Sequence, residues 1–278
     1  PFNGLPEEQL MVFPTGERPE KVMSIATCCR EAGAALRHKM LLRDAMDPAV
    51  ERARLREILR LPEPLQLQAV YPGTSANGWQ RVALQTTCGR MIPLLVKAPA
   101  AGRVDYVIAA APEGKDQLTQ STQFNELNMS GCGMILADLW ASGETMSGPD
   151  VAAGVLYHTM ARACLWLGRT MLGEWVRDFS LIIDWAKQSL HAKELTLCGY
   201  KDCGLAALLT PAAVGCRTNV LTEQSPVSMS FRGETIPKFF SMALHLPGFL
   251  LWGDVAMIAA LTDVKVEFTS PVYMNGEA

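Results

Sequence analysis

The feature that most constrains the fold is an alternation of short apolar runs with amphipathic helical segments. Nearly continuous apolar runs at 104–111, 132–137 and 194–198 are typical of strands buried on both faces of a sheet. Between two of them, residues 171–190 carry their apolar side chains in one stripe at helical spacing. Strands that alternate with helices form βαβ units. The sequence therefore predicts an α/β fold with a mainly parallel sheet covered by helices on both faces.

The rest of the chain supplies weaker elements. Further strands are predicted at 219–221 and 264–268, and further helices at 151–166, 204–214, 237–244 and 254–261. An antiparallel hairpin is predicted at 79–97, because an alternating run, a turn and a second apolar run follow one another there. Pro93 lacks an N–H group, which predicts that the second strand of this hairpin lies at an edge or a bulge.

The first part of the chain follows a different pattern. Residues 19–43 and 47–60 have helix periodicity, and 61–77 is rich enough in proline and glycine to be predicted as a connector. We therefore expect an N-terminal helical segment, 1–77, packed on a main domain, 78–278. The chain could be one module of a longer protein.

Composition excludes several classes of protein. There are 25 Lys and Arg against 28 Asp and Glu, and this formal net charge of −3 argues against a general nucleic-acid binder. No apolar run reaches the roughly 18 residues that a membrane span requires. The eight cysteines include no Cys-x-x-Cys pair, so we predict no structural metal and no cofactor.

The most informative stretch is residues 194–209, ELTLCGYKDCGLAALL. An apolar strand ends before Gly199, and a helix rich in Ala and Leu begins near Gly204. A turn this tight projects its central side chain above the carboxyl edge of the sheet, where open α/β sheets bind ligands. The arrangement matches the nucleophile elbow Gly-x-Ser-x-Gly. Counted from Gly199, Lys201 occupies the nucleophile slot and Cys203 stands at the second glycine.

Other segments extend this resemblance to acetyl-xylan-esterase-like α/β-hydrolases. Residues 137–145, ADLWASGET, look like the Asp-x-Arg-Gly-x-Gly-Glu-Thr loop of that family, with Trp140 and Ala141 in place of Arg and Gly. Residues 166–178 resemble the following helical segment, and 246–255 resemble the Pro-Gly-x-Leu…Asp stretch before the last strand.

The resemblance implies an α/β-hydrolase fold and a carbohydrate-esterase-like activity on a decorated polysaccharide. It also suggests export, for example to a periplasm. Residues 13–17, FPTGE, are similar to a lead-in between two tandem modules of such proteins, so a second domain or chain could complete the site. The elbow of this family is variable and often lacks serine, so the family name need not describe the chemistry of this chain.

Lys201 is the central candidate. An ammonium beside a helix N-terminus makes a site for a uronate carboxylate, a sulfate or an oxyanion. As a neutral amine it could instead act as a base or a nucleophile, and it could also be a solvated lysine without a role. The backbone N–H of Asp202 would be an oxyanion donor in a working hydrolase. Its carboxylate could bind ligand, pair with Lys201 or cap the helix, and Cys203 is expected to pack in the core.

The loops after two neighbouring strands supply the other candidates. Glu113 and Lys115 follow the strand 104–111, in the loop that would donate the second oxyanion N–H and line a sugar site. Glu144 could bind ligand hydroxyls, brace its loop or share acid–base work with Glu113. Trp140 could stack on a sugar ring or pack against the protein.

A complete hydrolase triad is not visible. The usual histidine follows the last strand, but none lies after residue 268, and His245 is the candidate, with a structural role as its alternative. Two functions are the main alternatives, and a third follows them. One is an esterase-like hydrolase, with Lys201, Glu144 and His245 as catalytic candidates and Glu113, Lys115, Asp202 and Trp140 as binding candidates. The other is a catalytically silent module that binds an anionic glycan or supports a partner domain. A third, glycan cleavage by Glu113 or Glu144, is weaker.

Overall fold

The computed structural model describes residues 4–13, 16–17, 19–42, 47–146, 148, 151–152, 154–231 and 238–278. Within them, eight strands form one sheet: β1 (Leu67–Ala76), β2 (Trp79–Thr86), β3 (Met91–Lys97), β4 (Asp105–Ala110), β5 (Gly133–Ala137), β8 (Glu194–Tyr200), β9 (Asn219–Glu223) and β10 (Val266–Thr269). Their order is β1-β2-β3-β5-β4-β8-β9-β10. The short strands β6 (Val151–Ala152) and β7 (Val155–Leu156) pair separately.

The described helices are α1 (Glu7–Leu10), α2 (Ile25–Leu41), α3 (Pro48–Leu59), α4 (Thr122–Met129), α5 (His158–Trp166), α6 (Met171–Ser189), α7 (Asp202–Val214), α8 (Phe249–Trp252) and α9 (Val255–Ala260). The side chain of Asp47 accepts a hydrogen bond from the Ala49 N–H and so caps α3. Thr170 caps α6 in the same way through the Gly173 N–H.

The sheet is mixed, and its larger part is parallel. Strands β5, β4, β8, β9 and β10 pair in parallel, while β1, β2 and β3 pair antiparallel with their neighbours. This arrangement confirms the predicted α/β class. In the described part of the chain, no helix combines the length and apolarity needed to cross a membrane.

Two apolar cores lie on opposite faces of the sheet. Ile108 and Ala110 of β4 belong to the larger core, which includes residues of α6 and α7. Val107 and Ala109 alternate with them and belong to a smaller core under α4. Because successive side chains of a strand point to opposite faces, this alternation shows that helices cover both faces.

The prediction that 61–77 is a connector is wrong for its second half, which is β1. Pro72 and Gly73 are tolerated there because β1 lies at the edge of the sheet and its register shifts between Pro72 and Ser75.

The edge or bulge predicted from Pro93 is also wrong, because β3 is an internal strand and pairs with β2 without a register shift. Strand β3 lies between β2 and β5, and the Pro93 carbonyl accepts a hydrogen bond from the Asp138 N–H (3.1 Å). Since β5 ends at Ala137, the missing N–H of Pro93 falls where the ladder stops and costs no strand bond.

Two predicted helices are shorter than expected. The helix predicted at 151–166 begins at His158, because Gly154 turns the chain (φ 74°) between β6 and β7. The segment predicted at 237–244 begins outside the described residues and contains only a 3-10 turn, Met242–Leu244. The division of the chain at residue 77 stays a prediction.

Candidate functional site

The turn between β8 and α7 has the backbone of a strained elbow. Lys201 has φ 49° and ψ −122°, a sparsely populated conformation for a residue with a side chain. Such strain costs on the order of 1–3 kcal/mol and persists only where the surroundings impose it. The Lys201 N–H donates to the Glu223 carbonyl (2.8 Å), and the Lys201 carbonyl accepts from the Gly204 N–H (3.0 Å) and the Ser225 hydroxyl (2.9 Å). The C-terminal end of β9 therefore holds the elbow.

Two glycines make this turn possible. A Cβ added to Gly199 would lie 2.3 Å from the Cys203 carbonyl oxygen, and one added to Gly204 would lie 1.7 Å from Ser225 Oγ. The second position where only glycine fits the turn is therefore Gly204, which is one residue later than the second glycine of the Gly-x-Ser-x-Gly motif. Cys203 is free to carry a side chain, which is fully buried, as the sequence predicted.

The half-buried side chain of Lys201 lies among aromatic rings. Its Nζ is 5.0 Å from the ring centroid of Phe239 and 5.4 Å from that of Tyr200. Among the residues that the structure describes, no carboxylate lies within ion-pair distance of this ammonium. Aromatic faces stabilise a cation without neutralising it, so the charge stays available to a ligand.

Asp202 serves the fold around the elbow. Its Oδ1 accepts hydrogen bonds from the Ser241 N–H (2.8 Å) and hydroxyl (2.7 Å). Burial raises the pKa of Asp202, and the bonds from Ser241 only partly offset this effect. Burial also raises the pKa of the Cys203 thiol well above its ordinary value, which disfavours a reactive thiolate.

The loop after β4 has its backbone donors engaged. The Glu113 N–H donates to Gln117 Oε1 (3.1 Å), the Gly114 N–H to the Ala111 carbonyl (3.0 Å) and the Lys115 N–H to Asp138 Oδ1 (2.7 Å). An oxyanion hole needs N–H groups that are free to point at the developing charge. This loop offers none from those three residues.

Lys115 acts as a brace between two loops. Its Nζ pairs with Asp138 and Glu144, both at 2.5 Å, and Asp138 also accepts from the Glu144 N–H (2.9 Å). The Lys115 side chain is only 8% exposed. Burial alone would lower the pKa of Lys115, but the hydrogen bonds to the two carboxylates outweigh it and raise that pKa. Sequence reasoning overlooked Asp138, although it opens the quoted loop motif.

The remaining candidates are placed as follows. Glu113, Lys115 and Glu144 line one cleft of about 450 Å³, as expected for residues that follow neighbouring strands. Glu113 is held by the Gln117 amide (2.7 Å). Trp140 lines a second cleft together with Glu144. His245 is exposed, directly after the 3-10 turn that follows Ser241. Across the described ranges, no group of three His, Cys, Asp or Glu could hold a metal.

Tyr157 lies between the elbow and the loop after β4 and was not anticipated from the sequence. Its hydroxyl donates to the Pro112 carbonyl, and its ring meets that of Trp175 edge to face (5.9 Å between centroids). Burial raises the pKa of Tyr157, and so do the nearby Asp202 and Cys203. Only the tertiary fold brings these groups together.

No protein-family model matches the sequence, and no curated protein matches it. Solved structures do. A candidate acetyl xylan esterase from Bacteroides fragilis NCTC 9343 superposes with a TM-score of 0.61 at 14% identity, over 80% of this chain and 66% of that one. Acetyl xylan esterase 1 from Thermoanaerobacterium sp. JW/SL YS485 gives 0.46 at 10% identity, over 82% and 87%. The chain thus spans 66% of the length of the first structure. The strand order, the elbow and the first superposition together show that this chain has the α/β-hydrolase fold.

Proposed function

We propose that this chain binds an acidic carbohydrate at its elbow lysine, and that binding takes the place of ester hydrolysis. The observation that carries the proposal is Lys201 itself. A strained backbone presents its ammonium where the fold's hydrolases present a nucleophile, and two aromatic rings lie beside that ammonium.

The chemistry of a lysine at this position disfavours turnover. An amine that attacked an acetyl ester would release the alcohol and retain the acetyl group as an amide, which water does not readily cleave. A positively charged ammonium cannot attack at all, because its lone pair holds a proton. The engaged N–H groups of Glu113, Gly114 and Lys115 also leave the second half of an oxyanion hole unfilled.

The ligand class follows from the surroundings of Lys201. An ammonium at the N-terminus of α7, where the helix dipole is positive, favours an anion. The half-buried ring of Phe239 offers an apolar face of the kind on which sugar rings pack. A uronate, which joins a carboxylate to a pyranose ring, meets both requirements. The solved structures named as acetyl xylan esterases add weight to a carbohydrate ligand.

Ester hydrolysis is the second candidate, because the strained elbow conformation is the feature that a catalytic nucleophile would need. In that case Lys201 would act as a base on water, and the Asp202 N–H would be an oxyanion donor. His245 or Glu144 would then have to reach the elbow.

Calorimetry with digalacturonate and an aryl acetate assay separate the two functions. We expect the wild type to bind digalacturonate, Lys201→Ala to lose binding at this site at least tenfold, and neither to hydrolyse aryl acetate. Lys193→Ala is the matched control, because Lys193 is an exposed lysine at the opposite end of the same strand. Aryl acetate turnover that disappears in Lys201→Ala would establish the esterase. Unchanged binding by Lys201→Ala would refute the proposal.

A further inference from the structure

A second cleft, of about 720 Å³, lies between the turn that joins β2 to β3, the loop after β5 and the start of α6. Its lining includes Cys88, Arg90, Trp140, Arg169 and Arg177. The proposed binding site at Lys201 includes none of these residues, so we consider this cleft as a separate site.

Guanidinium groups dominate this cleft. Glu174 accepts hydrogen bonds from Arg90, Arg169 and Arg177, and Asp178 accepts from Arg90 (2.7 Å). Both carboxylates are fully buried beneath the arginines. Three guanidinium charges therefore meet two carboxylates, so this cluster of five side chains carries one positive charge in excess, while the carboxylate of Glu144 lies elsewhere on the lining of the cleft.

Arg169 presents that excess charge to the solvent. Its side chain is 47% exposed, and it reaches Glu174 through Nη1 alone (3.1 Å). The other N–H groups of this guanidinium make no hydrogen bond to the described residues. Two parallel N–H donors in one plane match the two oxygens of a carboxylate.

Trp140 forms a fixed aromatic wall next to these donors. The backbone N–H of Trp140 donates to Asp178 Oδ2 (2.6 Å), and the backbone carbonyl of Trp140 accepts from Trp175 Nε1 (2.9 Å). The guanidinium of Arg90 lies 5.4 Å from the centroid of its ring. These hydrogen bonds fix the backbone of Trp140, and its ring packs against Arg90 and the larger apolar core, so little entropy is lost when a ligand binds beside it.

We propose that this cleft is a second carbohydrate site, which takes an acidic sugar residue with its carboxylate on Arg169 and its ring beside Trp140. Glu144 borders both this cleft and the neighbouring one, which contains further carboxylates. Its negative charge disfavours a uronate carboxylate on that side and directs it towards Arg169. This proposal does not depend on the elbow site, because the two share no residue.

Cys88 allows the site to be tested without an activity assay. Its thiol is exposed and lines the cleft. A hydrogen bond with Thr86 Oγ1 (3.2 Å) lowers the pKa of Cys88, which favours the thiolate that iodoacetamide alkylates. Cys28, which is also exposed, lies on α2 and serves as an internal control in the same sample.

The rates of alkylation, resolved by peptide mass spectrometry, are compared with and without trigalacturonate. We expect saturating trigalacturonate to slow alkylation of Cys88 at least fivefold and leave Cys28 unchanged. Xylotriose, a neutral sugar, should protect neither. Arg169→Ala should abolish protection, whereas Arg162→Ala, which removes an exposed arginine outside the cleft, should retain it.

Three results would overturn the proposal: no protection of Cys88, equal protection by xylotriose, or full protection in Arg169→Ala. Lys201→Ala should keep the protection of Cys88. Failure of the elbow site and failure of this cleft are therefore distinguishable.

Discussion

Replacing Gly204 by alanine tests the packing of the elbow, because two opposing effects meet at one atom. Gly204 lies inside α7, where alanine is favoured over glycine by about 1 kcal/mol. The added Cβ, however, would stand 1.7 Å from Ser225 Oγ and 3.0 Å from the Gly199 carbonyl oxygen. No rotation of a flexible side-chain end relieves the second contact, since it is with backbone.

The clash outweighs the helix propensity. Overpacking a tight site costs roughly 1–3 kcal/mol. Displacement of the Ser225 hydroxyl also breaks its hydrogen bond to the Lys201 carbonyl, which is worth about 1 kcal/mol. After subtraction of the propensity gain, we expect Gly204→Ala to lower the free energy of unfolding by about 1–3 kcal/mol.

Urea unfolding of four proteins measures this effect: the wild type, Gly204→Ala, Ser225→Ala and the double variant. Ser225→Ala should cost about 1 kcal/mol, through loss of the same hydrogen bond. In the double variant Oγ is gone, so we expect the two changes to cost about 1–2 kcal/mol less together than the sum of their separate effects. A Gly204→Ala protein as stable as the wild type, or strictly additive effects, would refute this packing.

Three further predictions concern the surroundings of the site. Asp138→Asn should lower the free energy of unfolding, measured in urea, by about 3 kcal/mol, because it removes one of the two carboxylates that pair with the buried Lys115. Glu144→Gln should cost under about 1 kcal/mol, because the Glu144 carboxylate is 67% exposed. Equal costs for the two variants would contradict the role of Asp138 as the main partner of Lys115. Burial raises the pKa of Asp202, so the Asp202 carboxyl group binds its proton more tightly in the folded chain than in the unfolded chain. The free energy of unfolding of the wild type, relative to that of Asp202→Asn, should therefore rise as the pH falls from about 7 to about 4. A difference between the two proteins that does not depend on pH would contradict this prediction. Phe239→Leu should weaken digalacturonate binding severalfold by calorimetry, and unchanged affinity would show that the Phe239 ring does not contribute to binding at Lys201.

Much of the fold was accessible from sequence because its signals are local. The stripe of α6 and the apolar runs of β4, β5 and β8 each fix their element without knowledge of the rest. Strand β1 was not predicted, because Pro72 and Gly73 are residues typical of connecting segments. Only its place at the edge, a tertiary property, makes them tolerable in a strand.

The elbow was predictable in position and less so in detail. The elbow spacing placed Lys201 correctly at the end of β8, because glycines on a strand–turn–helix boundary carry steric information. The partners of the elbow come from distant segments: Ser225 from the loop after β9, Ser241 and Phe239 from the loop before α8. No spacing in the sequence encodes such contacts.

The contacts of Lys115 likewise could not be predicted from the sequence. A polar loop after a strand is compatible with a ligand site or a brace, and only the distances to Asp138 and Glu144 identify the brace.

A crystal structure of the chain soaked with galacturonate would show whether Lys201 binds an acidic sugar. We expect the sugar carboxylate within about 3 Å of Lys201 Nζ, with Lys201 still at positive φ and the pyranose ring beside Phe239. Galacturonate bound elsewhere while the Lys201 ammonium faces empty solvent, or a Lys201 backbone relaxed to negative φ, would contradict this expectation.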